Sequence, residues 1–454
     1  MYLNHFISLV LGFLTLTIIY KDRPSLKPAL TLLLSWGVGL GISVYLTFLS
    51  FILFKTFHPE KIYLFHGILF LGLFLGAFPT YKRHFKRIPH ILFETINQRL
   101  FDALTWIFWT ILLCLTYMVT EGHTFGEWDA WGMWNLKTKF LLLSAQPFED
   151  IFHNLHWHTH PDYPLFLPFL NTWVYGLSST DLHPIPLYTA IIFTLACGIL
   201  LYLGLLQFIP KIPAFIAGAL LATNPFFGYQ ATAQYADVQI GFYLLAGFIL
   251  MVDSLSTKKP QSFFLFGIIL GFMTFIKNEG ILMMLFLTGL TLLSFGKEVF
   301  QHKRVLLWFF LALGLTFIPT LYFKTFLAPP NDDILPNFAW SNLRHYRFMN
   351  LQIFFTSTFQ ELTHKKWCWI WIFSLSALLL NLPKLIFEEK CRGLFLFFVI
   401  YFFAIAAIYT TNTNISISWW LESSLARIIF SLLPSLLFLI FYSYWHKPKN
   451  LNHL

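Results

Sequence analysis

Apolar residues run through this chain in long blocks, separated by short polar breaks. Blocks near the ~20 residues that a spanning helix needs lie at 2–20, 28–54, 62–80, 101–120, 184–208, 212–230, 237–254, 262–276, 280–296, 305–326, 367–383, 393–410 and 425–445. The pattern predicts an all-α polytopic membrane protein with about 13 transmembrane helices. Segment 163–178 is apolar but short and holds Pro164 and Pro168. It is expected to be a juxtamembrane or re-entrant helix that does not cross. A hydrophilic stretch at 121–165 interrupts the apolar blocks and opens a large loop, 121–183. A second long loop is expected at 327–366, and a polar tail at 446–454.

Composition agrees with the pattern. The chain is 57% hydrophobic and 11% charged, with mean hydropathy +0.66, whereas soluble domains carry about 25% charged residues. A soluble enzyme is excluded. The block 2–20 lacks a basic leader and a small-residue cleavage site, and so reads as a retained helix. The cysteines Cys114, Cys197, Cys368 and Cys391 form no CxxC pair, which argues against a disulfide framework or a zinc site.

The net charge of +9 would suit nucleic acid, but its placement points to the membrane instead. Loops 21–27, 81–100, 209–212, 255–261, 297–304 and 384–392, with the tail 446–454, hold 19 of the 30 Lys and Arg residues. About 14 of the 21 acids fall on the other side. The excess of positive charge on cytoplasmic loops then puts 121–165 on the extracytoplasmic face.

That stretch concentrates candidate chemistry. Glu121, Glu127, Asp129, Asp150 and Asp162 lie among His153, His156, His158 and His160, with Trp128, Trp131, Trp134 and Trp157 between them. Glu127 and Asp129 can divide the roles of base and orienting group, or can be two solvated acids. Trp128 and Trp131 can stack on sugar rings or form an interfacial belt. His156, His158 and His160, continued by Asp162, would line one side of an extended segment. They can then hold a divalent metal, with His158, His160 and Asp162 as the candidate ligands, or bind a phosphate. Other charges are predicted at the same face. Asp237 opens a helix after Asn224-Pro225, Lys277 and Glu279 sit at a helix break, and Arg427 heads the last helix. Lys277 can clamp a lipid phosphate or merely pair with Glu279, and Arg427 has the same two readings. The loop 327–366 adds Asp332, Asp333, Arg344, His345 and Arg347.

In order and sidedness these residues resemble the GT-C glycosyltransferases, in particular the branch with the protein mannosyltransferases and the aminoarabinose transferases of lipid A. The matching motifs are EWDAW at 127–131, His160-Pro161-Asp162-Tyr163-Pro164, Asn224-Pro225 with Asp237, and Lys277-Asn278-Glu279-Gly280. The resemblance covers roughly 100–445 and marks 101–445 as the catalytic core, with 1–100 as an N-terminal addition of transmembrane helices. It implies an inverting transferase of the bacterial inner membrane, moving a sugar from a polyprenyl-phosphate donor to an extracytoplasmic glycan, lipid or protein. Asp129 would be general base, assisted by Glu127. Lys277 and Arg427 would face the leaving phosphate, and His158, His160, Asp162 and Tyr163 would shape the donor pocket. No nucleotide or soluble cofactor is needed, because a lipid phosphate is a good leaving group. Two other readings compete: a transporter or flippase of a lipid-linked or small polar solute, and a non-catalytic sugar-lipid-binding subunit.

Overall fold

The computed structural model describes residues 2–21, 25–84, 96–120, 124–176, 184–296, 302–330, 347–411 and 416–446. Every apolar block becomes helix, and no strand occurs among the described residues. Helices suit these blocks because hydrocarbon offers no hydrogen-bond partner, so each backbone group must be satisfied within its own segment.

In chain order the helices are α1 (Tyr2–Ile19), α2 (Pro28–Phe54), α3 (Pro59–His84), α4 (Ile96–Thr120), α5 (Asn135–Leu143), α6 (Pro147–Ile151), α7 (Phe166–Tyr175) and α8 (Pro184–Leu206). There follow α9 (Lys211–Ala222), α10 (Pro225–Ala233), α11 (Asp237–Thr257), α12 (Pro260–Thr274), α13 (Asn278–Phe295) and α14 (Lys303–Tyr322). The last five are α15 (Arg347–Thr363), α16 (Ile370–Leu380), α17 (Leu382–Phe387), α18 (Glu389–Thr411) and α19 (Ile417–Trp445).

Among the described residues, 9 helices are long and apolar enough to cross a membrane. The other four apolar blocks fall on shorter apolar stretches: Phe101–Leu112 within α4, and α9, α12 and α16. The protein is thus a polytopic helical membrane protein, with nine candidate spans among the described residues. Helices α9, α12 and α16, of 12, 15 and 11 residues, are each shorter than the ~30 Å hydrocarbon core at 1.5 Å per residue, whereas α4 as a whole runs 25 residues. The block 212–230 is not one helix. Pro225 has no N–H to continue the ladder, and the Asn224 side chain accepts from the N–H groups of Phe226 and Phe227, both at 3.1 Å, to start α10 afresh.

Helix α11 lies at the centre, packed against α8, α12 and α19. Helices α1 and α2 approach closely because glycines meet backbone: a Cβ on Gly12 or Gly39 would collide with the carbonyl of Ser35 or of Ser8. Small residues at such crossings let helices pack in lipid. Helix α2 continues into the bundle, where Gly37 O accepts from the Tyr243 hydroxyl at 2.7 Å. The short α7 is enclosed in protein, with Phe166–Val174 all buried. Its first N–H donates to Phe275 O at 3.1 Å, which docks the preceding turn, 160–163, on the α12–α13 break.

Polar residues gather at the two ends of the bundle. At one end, Ser25 and Ser262 donate to buried Asp253 at 2.9 and 2.8 Å, tying the α1–α2 connection to α11 and α12. The other end carries Asp129, Asp162, Asp237, Lys277 and Arg427. Of the second long loop, the structure describes α15, which packs on α18 and α19. Glu121, Asp332, Asp333, Arg344 and His345 lie outside the described residues.

Candidate functional site

The site starts from a loop pinned onto the α10–α11 junction. Glu127 N–H donates to Ala233 O at 3.3 Å. Gln234, in a left-handed conformation with φ 59°, accepts from Asn135 at 2.9 Å and donates to Thr124 O at 2.9 Å. Asp129 N–H donates to the Tyr235 hydroxyl at 3.4 Å. Directly after Asp129 the backbone takes a wide turn over Ala130–Trp134, closed by an i→i+5 bond from Asn135 N–H to Ala130 O. Wide turns of this kind recur at functional sites because they re-aim side chains. A second one, Phe323–Leu327, presents Lys324 to the same end.

The site residues converge across long sequence separations. Arg427, which lies inside α19 well past its start at Ile417, makes a direct ion pair with Asp129 and lies over the Tyr235 ring, 5.0 Å from its centroid. Lys277 stands between Asp237 at 3.0 Å and Glu279 at 3.1 Å. Asp237 is only 2% exposed. Burial works against the Lys277 ammonium, but Asp237 and Glu279 more than offset it and hold the amine above its ordinary range. These groups line one cavity with His160, Tyr163, Trp134 and Ser424. Its volume of about 40 Å³ is room for roughly three waters. Three carboxylates, Asp129, Asp237 and Glu279, thus face two permanent cations. An anion can enter only by taking a cation from a carboxylate. The geometry already offers one unspent donor: Arg427 Nε is buried and finds no acceptor among the described residues. Buried donors are normally matched.

Beside the cavity, a second network holds the turn after the histidines. Asn278 donates to Asp162 at 2.8 Å, and Lys324 donates to Asn278 at 2.6 Å and to the Asp162 carbonyl. Lys137, 1% exposed, donates to His160 O at 2.8 Å, where His160 adopts a left-handed φ of 47°. Burial pushes the Lys137 amine down to about 7, with Asp162 opposing. An unfolded lysine stays protonated to ~10.4. Between about 7 and that value the unfolded chain therefore binds a proton that the folded chain lacks, and stability rises with pH. Denaturation of purified protein across this window should show the rise, and Lys137→Met should flatten it. An equal slope in both proteins would contradict the assignment.

The structure brings Asp129, His160, Tyr163, Asp237, Lys277, Glu279 and Arg427 to one cavity. It separates the others. Glu127 is half-buried, and Trp128 and Trp131 are exposed; none of the three lines the cavity. Asp162 is buried under Asn278 and ties down the backbone. The expected histidine row does not form. Residues 154–159 make a tight helical turn rather than an extended segment: the His156 and His158 rings stay neighbours, 6.2 Å apart, but His158 is exposed and does not line the cavity that His160 lines. Among the described residues, no three groups from His, Cys, Asp and Glu converge to hold a metal, which removes His158, His160 and Asp162 as a ligand set. The pairing of Lys277 with Glu279 is present, but Asp237 shares it.

Sequence reasoning missed Lys137, Lys324 and Gln234. A signal existed for Lys324, an ammonium inside an otherwise apolar block, since such residues are costly and face protein or water.

A large apolar groove adjoins the charged cavity. It lies between α15, α16, α18 and α19, has a volume of about 490 Å³, and shares Ile428 with the cavity. From Ile428 to Leu436 it follows α19 for about 12 Å. Its walls are Phe, Leu, Ile, Val and Trp, with Thr358 and Tyr401 the polar exceptions. The Tyr401 hydroxyl is buried without a partner among the described residues. Comparison with protein-family models, curated proteins and solved structures finds no match to this chain.

Proposed function

We propose that this protein is an inverting glycosyltransferase that moves a sugar from a polyprenyl-phosphate donor to an acceptor hydroxyl at the extracytoplasmic face. The observation that carries the reading is the junction at Ile428: an apolar groove of a size that suits ligands ends beside a cavity of paired cations and carboxylates. An amphipathic donor needs both parts, a lipid slot and a phosphate seat. The order of the sequence motifs supports the same class.

In this reading the donor tail lies in the groove and the phosphate enters at Arg427, using its unmatched Nε. The phosphate takes Arg427 from Asp129, so donor loading itself frees the carboxylate. Asp129 then accepts the proton of the acceptor hydroxyl as its oxygen attacks the anomeric carbon. The bond from that carbon to the phosphate oxygen breaks, and its electron pair stays on the phosphate. Arg427 and Lys277 stabilise the growing charge, fixed in place and shielded from water. Attack opposite to the leaving phosphate inverts the anomeric centre.

The reading is tested with undecaprenyl phosphate, the leaving group, and undecaprenol, its uncharged counterpart. Purified protein in nanodiscs should bind the phosphate saturably and the alcohol at least about tenfold more weakly, as expected for a charge-assisted contact. Thr358→Trp should fill the groove and weaken both ligands. Arg427→Gln should erase the preference for the phosphate. Equal binding of the two lipids by the unaltered protein would overturn the proposal.

A further inference from the structure

On either side of Asp129 in the chain two indoles stand out. Trp128 is 65% and Trp131 49% exposed, and they meet edge to face with centroids 4.4 Å apart. The wide turn 130–134 holds them there, and the Trp128 ring lies against Gly132, where a side chain would reach it at 3.8 Å. Glu127 borders the pair and is bound by the Tyr229 hydroxyl. Tyr229 is itself 43% exposed and stacks on Phe226 at 5.8 Å. Asp129, the proposed base, is the next residue after Trp128.

We propose that Trp128, Trp131 and Glu127 form the acceptor subsite and that the acceptor is a saccharide. This names the acceptor class of the transferase reading and rests on it. A pyranose has a face of C–H bonds and a rim of hydroxyls. The C–H face suits the apolar, electron-rich face of an indole. The hydroxyl rim suits a carboxylate, which accepts hydrogen bonds only. The ledge supplies both, one residue from the base that must reach an acceptor hydroxyl. A lipid acyl chain would use the indoles and leave Glu127 facing hydrocarbon, which is costly. Tryptophans serving only as interfacial anchors need no carboxylate beside them.

The test is saturation-transfer NMR on the protein in nanodiscs, with methyl glucoside, methyl mannoside, cellobiose and chitobiose as probes and no donor present. At least one probe should receive saturation, strongest on the C–H protons of one ring face. Trp128→Phe should keep most of the effect, since it keeps an aromatic face. Trp128→Leu should lose it, although it stays apolar. Glu127→Gln should weaken binding by about tenfold. Trp157→Ala removes a tryptophan that is 76% exposed on another turn and should change nothing. Absence of saturation on every probe would overturn the inference. So would equal binding by Trp128→Leu, or a serine tripeptide that binds the ledge as well as the sugars do. The readout requires neither donor nor turnover, so loss of the undecaprenyl-phosphate preference would count against the transferase alone.

Discussion

Asp129→Asn should lower turnover by roughly 10²–10⁴ while leaving donor binding intact or tighter. The size of the loss is that of removing a positioned general base. The direction of the affinity change comes from the ion pair. Asp129 and Arg427 are in direct contact, and a donor phosphate must separate them. Asparagine is of similar size and still accepts a hydrogen bond from Arg427, but it competes less well with phosphate for the guanidinium. A carboxylate with a structural role only would give another pattern, with lower stability and weaker donor binding moving together. Single-turnover kinetics on purified protein, with donor affinity measured separately, distinguishes the two. Unchanged turnover would remove Asp129 from the mechanism.

Lys277→Ala should cost about 3–5 kcal/mol of stability, because it strands a buried carboxylate. Asp237 is 2% exposed and would lose its partner at 3.0 Å. Lys277→Met combined with Asp237→Asn removes both charges, and such replacements are often close to neutral. The double variant should therefore regain most of the stability. It should not regain undecaprenyl-phosphate affinity, which should stay down by about tenfold to somewhat over a hundredfold, the value of one charge-assisted contact. Full recovery of affinity in the double variant would assign Lys277 to structure alone. Glu279→Gln is the companion measurement. Glu279 is partly exposed, so its loss should cost less stability than the loss of Asp237.

The helices were legible from the chain because lipid imposes a length and a composition on each of them. The break at Asn224-Pro225 was marked by its own residues, yet the apolar block 212–230 ran across it, since hydropathy does not register a missing N–H. Asp129, Asp237, Lys277 and Arg427 were legible because a charge beside an apolar block is costly unless it serves a site. Their pairing was not. The partners Asp129 and Arg427 are 298 positions apart, and nothing local ties them together. The histidine row failed for a local reason. An alternating pattern was read as extended backbone, whereas His153 accepts from Leu155 N–H at 3.3 Å and starts a tight turn. Lys137 looked like an ordinary loop lysine, and only the closure of α5 over the 160–163 turn buries it. The apolar groove could not be read at all, because its walls come from four helices whose residues resemble any lipid-facing surface.

The central claim is transfer of a sugar from a polyprenyl-phosphate lipid. Mass spectrometry of envelope glycans and lipids, from cells with and without this protein, tests it most directly. The account predicts one product lighter by a single sugar residue and accumulation of the matching polyprenyl-phosphate sugar, with Asp129→Asn giving the same profile as absence. Unaltered glycans and lipids in cells lacking the protein would contradict it.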